Sequence, residues 1–230
     1  MDTSTALVTG ASRGLGRALA AVLSGRGWRL VVDGRDAVRL ADAVAALPRP
    51  ELVTAVPGDV ADPAHRAALA DAVGGRLDLL VNNASDLGPT PLPPLAELLP
   101  VQLQRVLAVN TVAPLALLQL VLPALTRSRG TVLNISSDAA VEPYEGWGGY
   151  GASKAALDHL SAVLAVENPI LRVHAVDPGD MDTDMHRAAD PEATGLPTPE
   201  SVAPALLRLL DERPPSGRYR AGDLLPAVTR

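Results

Sequence analysis

Short runs of β-branched and leucine residues alternate along the chain with longer stretches in which alanine and leucine recur at helical spacing. The runs predict strands over 5–9, 29–33, 52–56, 77–81, 130–136, 170–177 and 218–223. The stretches between them predict helices over 15–25, 36–47, 63–74, 98–126, 149–167 and 199–211. Because this alternation is typical of repeated βαβ units, the pattern predicts an α/β fold with a doubly wound, predominantly parallel sheet of seven strands.

Chain length and the placement of loops predict one domain. A chain of 230 residues falls in the range that a single α/β core fills, so we take 1–230 as one domain. The proline-rich stretches 88–94 and 191–199 are interpreted as ordered loops, because the alternation resumes directly after each. Pro114 is expected to divide or kink the helix over 98–126, since an interior proline removes a backbone hydrogen bond.

Composition and charge narrow the classes of function. The formal net charge of −6 at pH 7 disfavours a nucleic-acid surface, which needs a basic stripe. The absence of cysteine excludes disulfides and thiolate metal sites, and the 4 histidines lack ligand-like spacing, so we expect no metal. We find no uninterrupted apolar run of about 18 residues and no apolar leader. These features predict a soluble, cytoplasmic protein that acts on small molecules and binds no membrane.

A glycine-rich segment follows the first predicted strand. Residues 9–16 read Thr-Gly-Ala-Ser-Arg-Gly-Leu-Gly and open the next predicted helix. Gly10, Gly14 and Gly16 lie where the backbone turns tightly and can approach a pyrophosphate, whose charge the N–H groups of the helix favour. Three glycines at this spacing are equally compatible with a tight turn that binds no ligand. Other motifs in the chain are therefore needed to distinguish a dinucleotide site from such a turn.

The rest of the chain resembles the short-chain dehydrogenase/reductase family from about Thr5 to Gly222. The motifs that carry the resemblance are Gly-x-x-x-Gly-x-Gly at Gly10, Asp59-Val60, Asn82-Asn83-Ala84, Tyr150-x-x-x-Lys154 and Pro178-Gly179 with Thr183. The resemblance implies a single-domain Rossmann-type fold and an NAD(P)-dependent oxidoreductase. Ser85 departs from the family pattern, which usually has glycine after Asn-Asn-Ala.

The resemblance also implies a set of cofactor contacts. The family's cofactor-binding positions correspond here to Gly10, Ser12, Arg13, Gly14, Leu15, Gly16, Arg35, Asp59, Val60, Asn83, Tyr150, Lys154, Pro178, Gly179 and Thr183. For Asn82 and Asn83, a loop held by side-chain hydrogen bonds to the backbone is as good an interpretation as direct contact with the cofactor.

Cofactor choice depends on the end of the second predicted strand. The family position for an acidic ligand of the NAD ribose is Gly34 here. Arg35 and Arg13 can instead bind the 2′-phosphate of NADP, because a guanidinium offers a bidentate fork, although both can also be solvated surface residues. One residue of slippage would place Asp33 at the ribose and reverse the preference. We therefore expect NADP(H), with NAD(H) as the alternative.

The candidate catalytic residues come from three segments. Tyr150 and Lys154 stand four residues apart, so both side chains share one face of a helix over 149–167. The resemblance implies Ser137, at the end of the fifth predicted strand, as the catalytic serine, with Ser136 as the neighbouring alternative. It implies Asn110 as the fourth member of the group.

These residues imply a mechanism. Nicotinamide would exchange hydride with a carbonyl or secondary alcohol while Tyr150 gives its proton to the developing alkoxide. Lys154 would bind the ribose hydroxyls and lower the pKa of Tyr150. Ser137 would hold the substrate oxygen, and Asn110 would support an irregularity in its helix and a water that relays protons to Lys154. The prediction is an NADPH-dependent ketone reductase; the alternative is a catalytically silent dinucleotide-binding regulator.

Partners follow from the same interpretation. The substrate is expected to be a small carbonyl compound or alcohol, and we assign its binding to the loop over 180–198. The resemblance further implies a homodimer or homotetramer that pairs the helices over 98–126 and 149–167.

Overall fold

A computed structural model describes residues 3–224; residues 1–2 and 225–230 of the predicted domain lie outside the described residues. The strands are β1 Thr5–Val8, β2 Arg29–Gly34, β3 Val53–Pro57, β4 Leu79–Asn82, β5 Thr131–Ile135, β6 Arg172–Asp177 and β7 Gly217–Arg220. The helices are α1 Gly14–Gly25, α2 Ala37–Ala45, α3 Pro63–Val73, α4 Pro100–Leu107, α5 Ala113–Ser128, α6 Gly148–Glu167, α7 Asp184–Ala189, α8 Pro199–Glu212 and α9 Ala221–Leu224.

The strands form one sheet in the order β3-β2-β1-β4-β5-β6-β7, and every neighbouring pair is parallel. The chain runs outward from β1 to β3 and then restarts beside β1 with β4. This reversal is the point at which doubly wound sheets open a crevice at the carboxyl ends of their strands. The predicted single-domain α/β fold with seven parallel strands is confirmed.

Helices cover both faces of the sheet, which explains why the central strands are apolar without alternation. Along β1, Ala6 and Val8 pack with α1 and α8, whereas Leu7 packs on the opposite face with α3 and α5. Side chains alternate across a strand, so each face of the sheet receives its own core. The two cores hold the carboxyl ends of β1, β4 and β5 in fixed positions.

The helix predicted over 98–126 is interrupted just before Pro114. A π-helical turn, Ala108–Val112, separates α4 from α5, and the backbone stays helical across both junctions. Pro114 lies in the first turn of α5, where its missing N–H cannot bond to the carbonyl of Asn110 inside the π-turn. The irregularity surrounds Asn110, as a π-turn often does at a functional position.

The segment Pro100–Ser128 also qualifies as a membrane-span candidate by length and composition, although no single apolar run in it reaches about 18 residues. Half of its most apolar window is buried inside the protein. Leu117, Val121 and Leu125 pack into the core beneath the sheet, as in the central helix of an α/β domain.

Two shorter elements differ from the sequence pattern. The last predicted strand, over 218–223, ends at Arg220 because residues Ala221–Leu224 form α9. The segment 180–198, predicted as a loop, contains α7, whose first turn is capped by the Thr183 hydroxyl accepting the N–H of His186 at 3.1 Å.

Candidate active site

A cleft of about 710 Å³ follows the carboxyl edge of the sheet. All the predicted catalytic and cofactor-binding residues line it except Gly16 and Asn110, which are buried. The parallel strands bring together segments that are far apart in the sequence, because all of them end at this edge. The cleft therefore has a glycine-rich end, beside β1 and β2, and a tyrosine-containing end, beside β5 and β6.

The glycine-rich turn has the backbone geometry that an anion site needs. Gly10 and Gly14 adopt φ values of +69° and +54°, a region in which a side chain would be strained. A Cβ on Gly16 would lie 2.3 Å from the carbonyl oxygen of Gly10, so only glycine allows α1 to pack this closely. The N-cap of α1 is Arg13, whose side chain has no acceptor for the first N–H groups of the helix. These groups fit a pyrophosphate.

Asp33 supports this turn from below. Its Oδ1 accepts the N–H of Gly10 at 2.6 Å, and its Oδ2 lies 3.1 Å from Nε2 of His65. The side chain is 1% exposed, and burial raises its pKa. Both carboxylate oxygens are thus engaged inside the protein, which disfavours the alternative that Asp33 binds a ribose.

The Asn82-Asn83 turn is held by its own side chains. The amide nitrogen of Asn83 donates to the carbonyl oxygens of Thr9 and Gly10, at 2.9 and 3.2 Å, and that of Asn82 donates to Oδ1 of Asn134 at 2.7 Å. Asn83 thus makes the predicted side-chain hydrogen bonds to the backbone, whereas Asn82 bonds to another side chain. Asn83 also lines the cleft.

Arginines surround the glycine-rich end. Arg13, Arg35 and Arg39 all line the cleft there. Nη1 of Arg13 lies 2.7 Å from Oδ2 of Asp184 on α7, and both side chains are about half exposed. Arg39 was not identified from the sequence, since only its position on α2 brings it to the end of β2.

Both carboxylate oxygens of Asp59 are bound by groups of the protein itself. Its Oδ1 accepts the N–H of Ala61 at 2.9 Å and its Oδ2 pairs with Nη2 of Arg105 at 2.7 Å. Burial opposes ionisation, but these two donors outweigh it and lower the pKa of Asp59. Arg105, on α4, is a second cation that sequence reasoning missed.

At the other end of the cleft, Tyr150 and Lys154 share one face of α6 as predicted. Nζ of Lys154 donates to the carbonyl oxygen of Ile135 at 2.8 Å and lies 5.4 Å from the centre of the Tyr150 ring. The ring of Trp147 meets that of Tyr150 edge-on, with centroids 5.6 Å apart. Lys154 is 2% exposed and Tyr150 9%.

Burial dominates the protonation of this pair. It raises the pKa of Tyr150 to about 12 and lowers that of Lys154 to about 8. The expected lowering of the Tyr150 pKa by Lys154 is therefore wrong, because the cost of burying a phenolate exceeds the help from its neighbours. Tyr150 keeps its proton at neutral pH, whereas the ammonium of Lys154 is easily deprotonated.

Of the two candidate serines, Ser137 faces the tyrosine. Its side chain favours the phenolate of Tyr150 and so lowers that pKa, against the effect of burial. Its hydroxyl donates to Oδ1 of Asp138 at 3.0 Å and accepts the N–H of Ala139 at 3.2 Å. Ser136 is more deeply buried, and its Oγ has no hydrogen-bond partner among the described residues. The geometry thus favours Ser137 over Ser136 as the serine that can reach a substrate oxygen.

Asn110 lies at the centre of the π-turn and joins two other segments. Its Oδ1 accepts the N–H of Asp86 at 2.7 Å and the hydroxyl of Ser85 at 3.2 Å. Its Nδ2 donates to the carbonyl oxygen of Asp86 at 2.8 Å and to Oγ of Ser153, beside Lys154, at 2.9 Å. Ser85 also lowers the pKa of Tyr150, against the effect of burial, so the residue that departs from the family pattern belongs to the site.

The segment after β6 closes the cleft. Gly179 adopts φ +73°, and its N–H donates to Oδ1 of Asp177 at 3.0 Å. Thr183 follows at the start of α7 and packs near Gly14 of the glycine-rich turn. Pro178, Gly179 and Thr183 all line the cleft, and Thr183 meets its glycine-rich end.

One sequence signal for the site was missed. Lys154 is the only lysine in the sequence, and the other basic residues counted with it are arginines. A chain that uses arginine elsewhere but lysine here indicates a position that a guanidinium cannot fill. The structure explains this, because the compact ammonium is enclosed by the carbonyl of Ile135 and the ring of Tyr150.

Comparisons with known proteins agree with the fold and the motifs. The sequence profile described as short chain dehydrogenase matches residues 4–194. The rhamnolipids biosynthesis 3-oxoacyl-[acyl-carrier-protein] reductase of Pseudomonas aeruginosa is 34% identical and covers 96% of this chain and 93% of its own length. The sepiapterin reductase of Meriones unguiculatus is 36% identical, over 84% of this chain and 81% of its own.

Solved structures give the same result. A short chain dehydrogenase from Escherichia coli, crystallised with NADPH, superimposes with a TM-score of 0.89 at 31% identity, covering 96% of this chain and 97% of that one. A second, from Shigella flexneri with NADP, gives a TM-score of 0.86 at 29% identity, covering 96% and 98%. The chain therefore belongs to the short-chain dehydrogenase family of NAD(P)-dependent oxidoreductases, as the sequence predicted.

Proposed function

We propose that this protein is an NADPH-dependent reductase of small ketones or aldehydes, with Tyr150, Lys154, Ser137 and Asn110 as its catalytic group. The observation that carries the proposal is the cluster at the tyrosine-containing end of the cleft. There a buried, protonated phenol, a serine hydroxyl and a lysine amine meet beside Pro178-Gly179. The names of the two curated relatives, both reductases, support the same direction of reaction.

The glycine-rich end of the cleft fits the phosphates of a dinucleotide. Gly10, Ser12, Gly14, Leu15 and Gly16 would hold the pyrophosphate at the start of α1. Asp59, Val60 and Asn83 would border the adenosine, and Pro178, Gly179 and Thr183 the nicotinamide, since all six residues line the cleft.

The arginines at this end favour NADP(H) over NAD(H). Arg35, with Arg13, would bind the 2′-phosphate as a bidentate partner. Asp33, the competing candidate, already binds Gly10 and His65. The Escherichia coli and Shigella flexneri structures were crystallised with NADPH and NADP, which supports this choice.

The residues of the tyrosine-containing end divide the chemistry among them. When bound, nicotinamide supplies the hydride that reduces the carbonyl carbon. Tyr150 gives its proton to the alkoxide oxygen, and its raised pKa suits an acid that must arrive protonated. The Ser137 hydroxyl, which donates to Asp138 in this structure, would turn to donate its hydrogen bond to the same oxygen. Lys154 holds ribose hydroxyls and, in its charged form, favours the phenolate that Tyr150 becomes.

Asn110 would act by positioning. It fixes the 85–86 segment, which lines the cleft, against Ser153 of α6. The 180–198 segment would bind the substrate, because Met181, Met185 and His186 of this segment line the same cleft.

The assembly is proposed from exposed apolar side chains on two helices. Val112 at the end of the π-turn, Leu115 and Leu120 on α5, and Val163 and Val166 on α6 are all exposed although they are apolar. Exposed apolar side chains on neighbouring turns of a helix are typical of contact surfaces, which favours a homodimer or homotetramer that pairs these helices in the cytoplasm.

The pKa of Lys154 can be measured directly because the chain has a single lysine. In protein labelled with ¹³C-lysine, the only Cε resonance should titrate with a midpoint of about 8, since burial disfavours the ammonium. A midpoint at the ordinary lysine value of 10.5 would show that Lys154 is solvated and would contradict the buried site.

Replacing the acid tests the reaction. Tyr150→Phe keeps the ring but deletes the proton donor, so kcat for NADPH-dependent carbonyl reduction should fall about 10²–10⁴-fold or more. The Kd for NADPH should hardly change. Tyr219→Phe, which removes a hydroxyl bound to the carbonyl of Pro215 away from the cleft, is the matched control. Turnover by Tyr150→Phe near that of the control would rule out Tyr150 as the acid.

Replacing the proposed phosphate ligand tests the cofactor. The parent should bind NADPH more tightly than NADH by about tenfold to a hundredfold, because a charge-assisted hydrogen bond contributes about 1.5–3 kcal/mol. Arg35→Ala should remove most of that difference, whereas Arg26→Ala, an exposed arginine paired with Asp211, should retain it. Equal affinities in the parent would speak against the assignment of Arg35.

Charge on the apolar face of α5 tests the assembly. Light scattering at micromolar concentration should give a multiple of the monomer mass for the parent. Leu120→Glu should lower the mass because it places a carboxylate in the contact. Val38→Glu, at a still more exposed apolar position on α2, should leave it unchanged. A parent that is monomeric over a range of concentrations would disprove the assembly.

A further inference from the structure

Arg218, on the edge strand β7, reaches back to the tyrosine-containing end of the cleft. Its Nε donates to Oδ2 of Asp158 on α6 at 2.9 Å, and its Nη2 donates to the carbonyl oxygen of Ser137 at 2.9 Å. The same Nη2 lies 3.7 Å from Oδ2 of Asp177, at the end of β6. One guanidinium thus contacts the ends of β5 and β6 and the helix of Tyr150.

Asp158 continues the face of α6 that carries the reacting groups. Tyr150, Lys154 and Asp158 are spaced at successive intervals of four residues and so project from one side of the helix. Oδ1 of Asp158 is buried and has no hydrogen-bond partner among the described residues. The hydrogen bond of this carboxylate is therefore the one that its Oδ2 accepts from Arg218. Asp158 also favours the ammonium of Lys154, against the effect of burial.

Two cationic side chains, Lys154 and Arg218, therefore donate to backbone carbonyls two residues apart in the segment that contains Ser137. Lys154 binds the carbonyl of Ile135, two residues before the carbonyl of Ser137 that Arg218 binds. Asp158 stands one helical turn beyond Lys154 and bonds to Arg218. These contacts form a closed ring around the end of β5. The ring runs from Ile135 to Lys154, along α6 to Asp158, and through Arg218 back to Ser137.

From this ring we infer that Arg218 is a positioning residue of the reductase reaction, which sets the distance between Ser137 and the Tyr150–Lys154 face of α6. The inference rests on the proposed function. Its chemistry depends on the planar fork of arginine, since two nitrogens must serve the carboxylate and the carbonyl at the same time. A lysine would supply charge to Asp158 without reaching both acceptors.

The activity test compares two arginines that each donate to a backbone carbonyl. Arg218→Met should lower kcat by about tenfold or more with the Kd for NADPH unchanged, because misplacing Ser137 affects the reacting oxygen rather than the cofactor. Arg127→Met, which removes a bond from an exposed guanidinium to the carbonyl of Gly75, should leave kcat unchanged. Arg218→Lys should recover only part of the loss.

A second readout needs no turnover. Loss of the Arg218 cation leaves Asp158 facing Lys154 alone, so the Lys154 pKa measured by ¹³C should rise above about 8 in Arg218→Met. It should stay near the parent value in Arg218→Lys and Arg127→Met, and fall in Asp158→Asn. The other charged groups that face Arg218 or its partners, Asp177 and Arg220, are retained in all these variants.

The outcomes separate this inference from the proposed function. A parent protein without NADPH-dependent turnover refutes the function, while the Lys154 titrations still report whether Arg218 and Asp158 are coupled to the site. A folded Arg218→Met protein with the kcat and the Lys154 pKa of the parent overturns the inference, and so does a loss of kcat with an unmoved pKa. If Arg218→Met fails to fold, Asp158→Asn carries the test: an unchanged kcat and an unchanged pKa overturn it.

Discussion

A lysine buried at the end of a strand is the constraint on which this site depends. Nζ of Lys154 binds the carbonyl of Ile135 beneath the ring of Tyr150, with almost no access to water. A buried ammonium is costly unless it is hydrogen-bonded and compensated, so the surrounding residues have to be arranged for it. Asp158 provides the compensating charge from the next turn of α6. The cost is visible in the depressed pKa of the lysine.

The fold supplies the rigid frame that makes such an arrangement possible. Parallel strands place the ends of β4, β5 and β6 side by side, and two apolar cores fix the sheet against the helices on each face. The π-turn at Asn110 adds one local exception. It directs an amide toward the 85–86 segment and Ser153, which a regular helix would not place within reach of the same side chain.

Much of this was predictable from local patterns. Apolar runs identified each strand of the sheet, and the glycine spacing together with Tyr150 and Lys154 located both ends of the cleft. What local patterns missed depends on contacts between distant segments. Asp33 is engaged by His65, which lies 32 residues away, and Arg218 reaches Ser137 only because β7 lies beside β6. The predicted direction of the Tyr150 pKa shift was wrong, because a sequence shows a neighbouring lysine but not the extent to which the phenol is buried.

Stereospecific deuterium transfer tests most directly whether the cleft is one active site that joins a dinucleotide to a carbonyl. NADPH deuterated at either face of nicotinamide C4 would be offered with a reducible carbonyl compound, and the product analysed by mass spectrometry. A cofactor fixed in one orientation against Pro178-Gly179 and Tyr150 predicts deuterium on the product's carbinol carbon from one of the two labelled forms only. Equal transfer from both forms, or reduced product with no deuterium from either, would contradict the assignment.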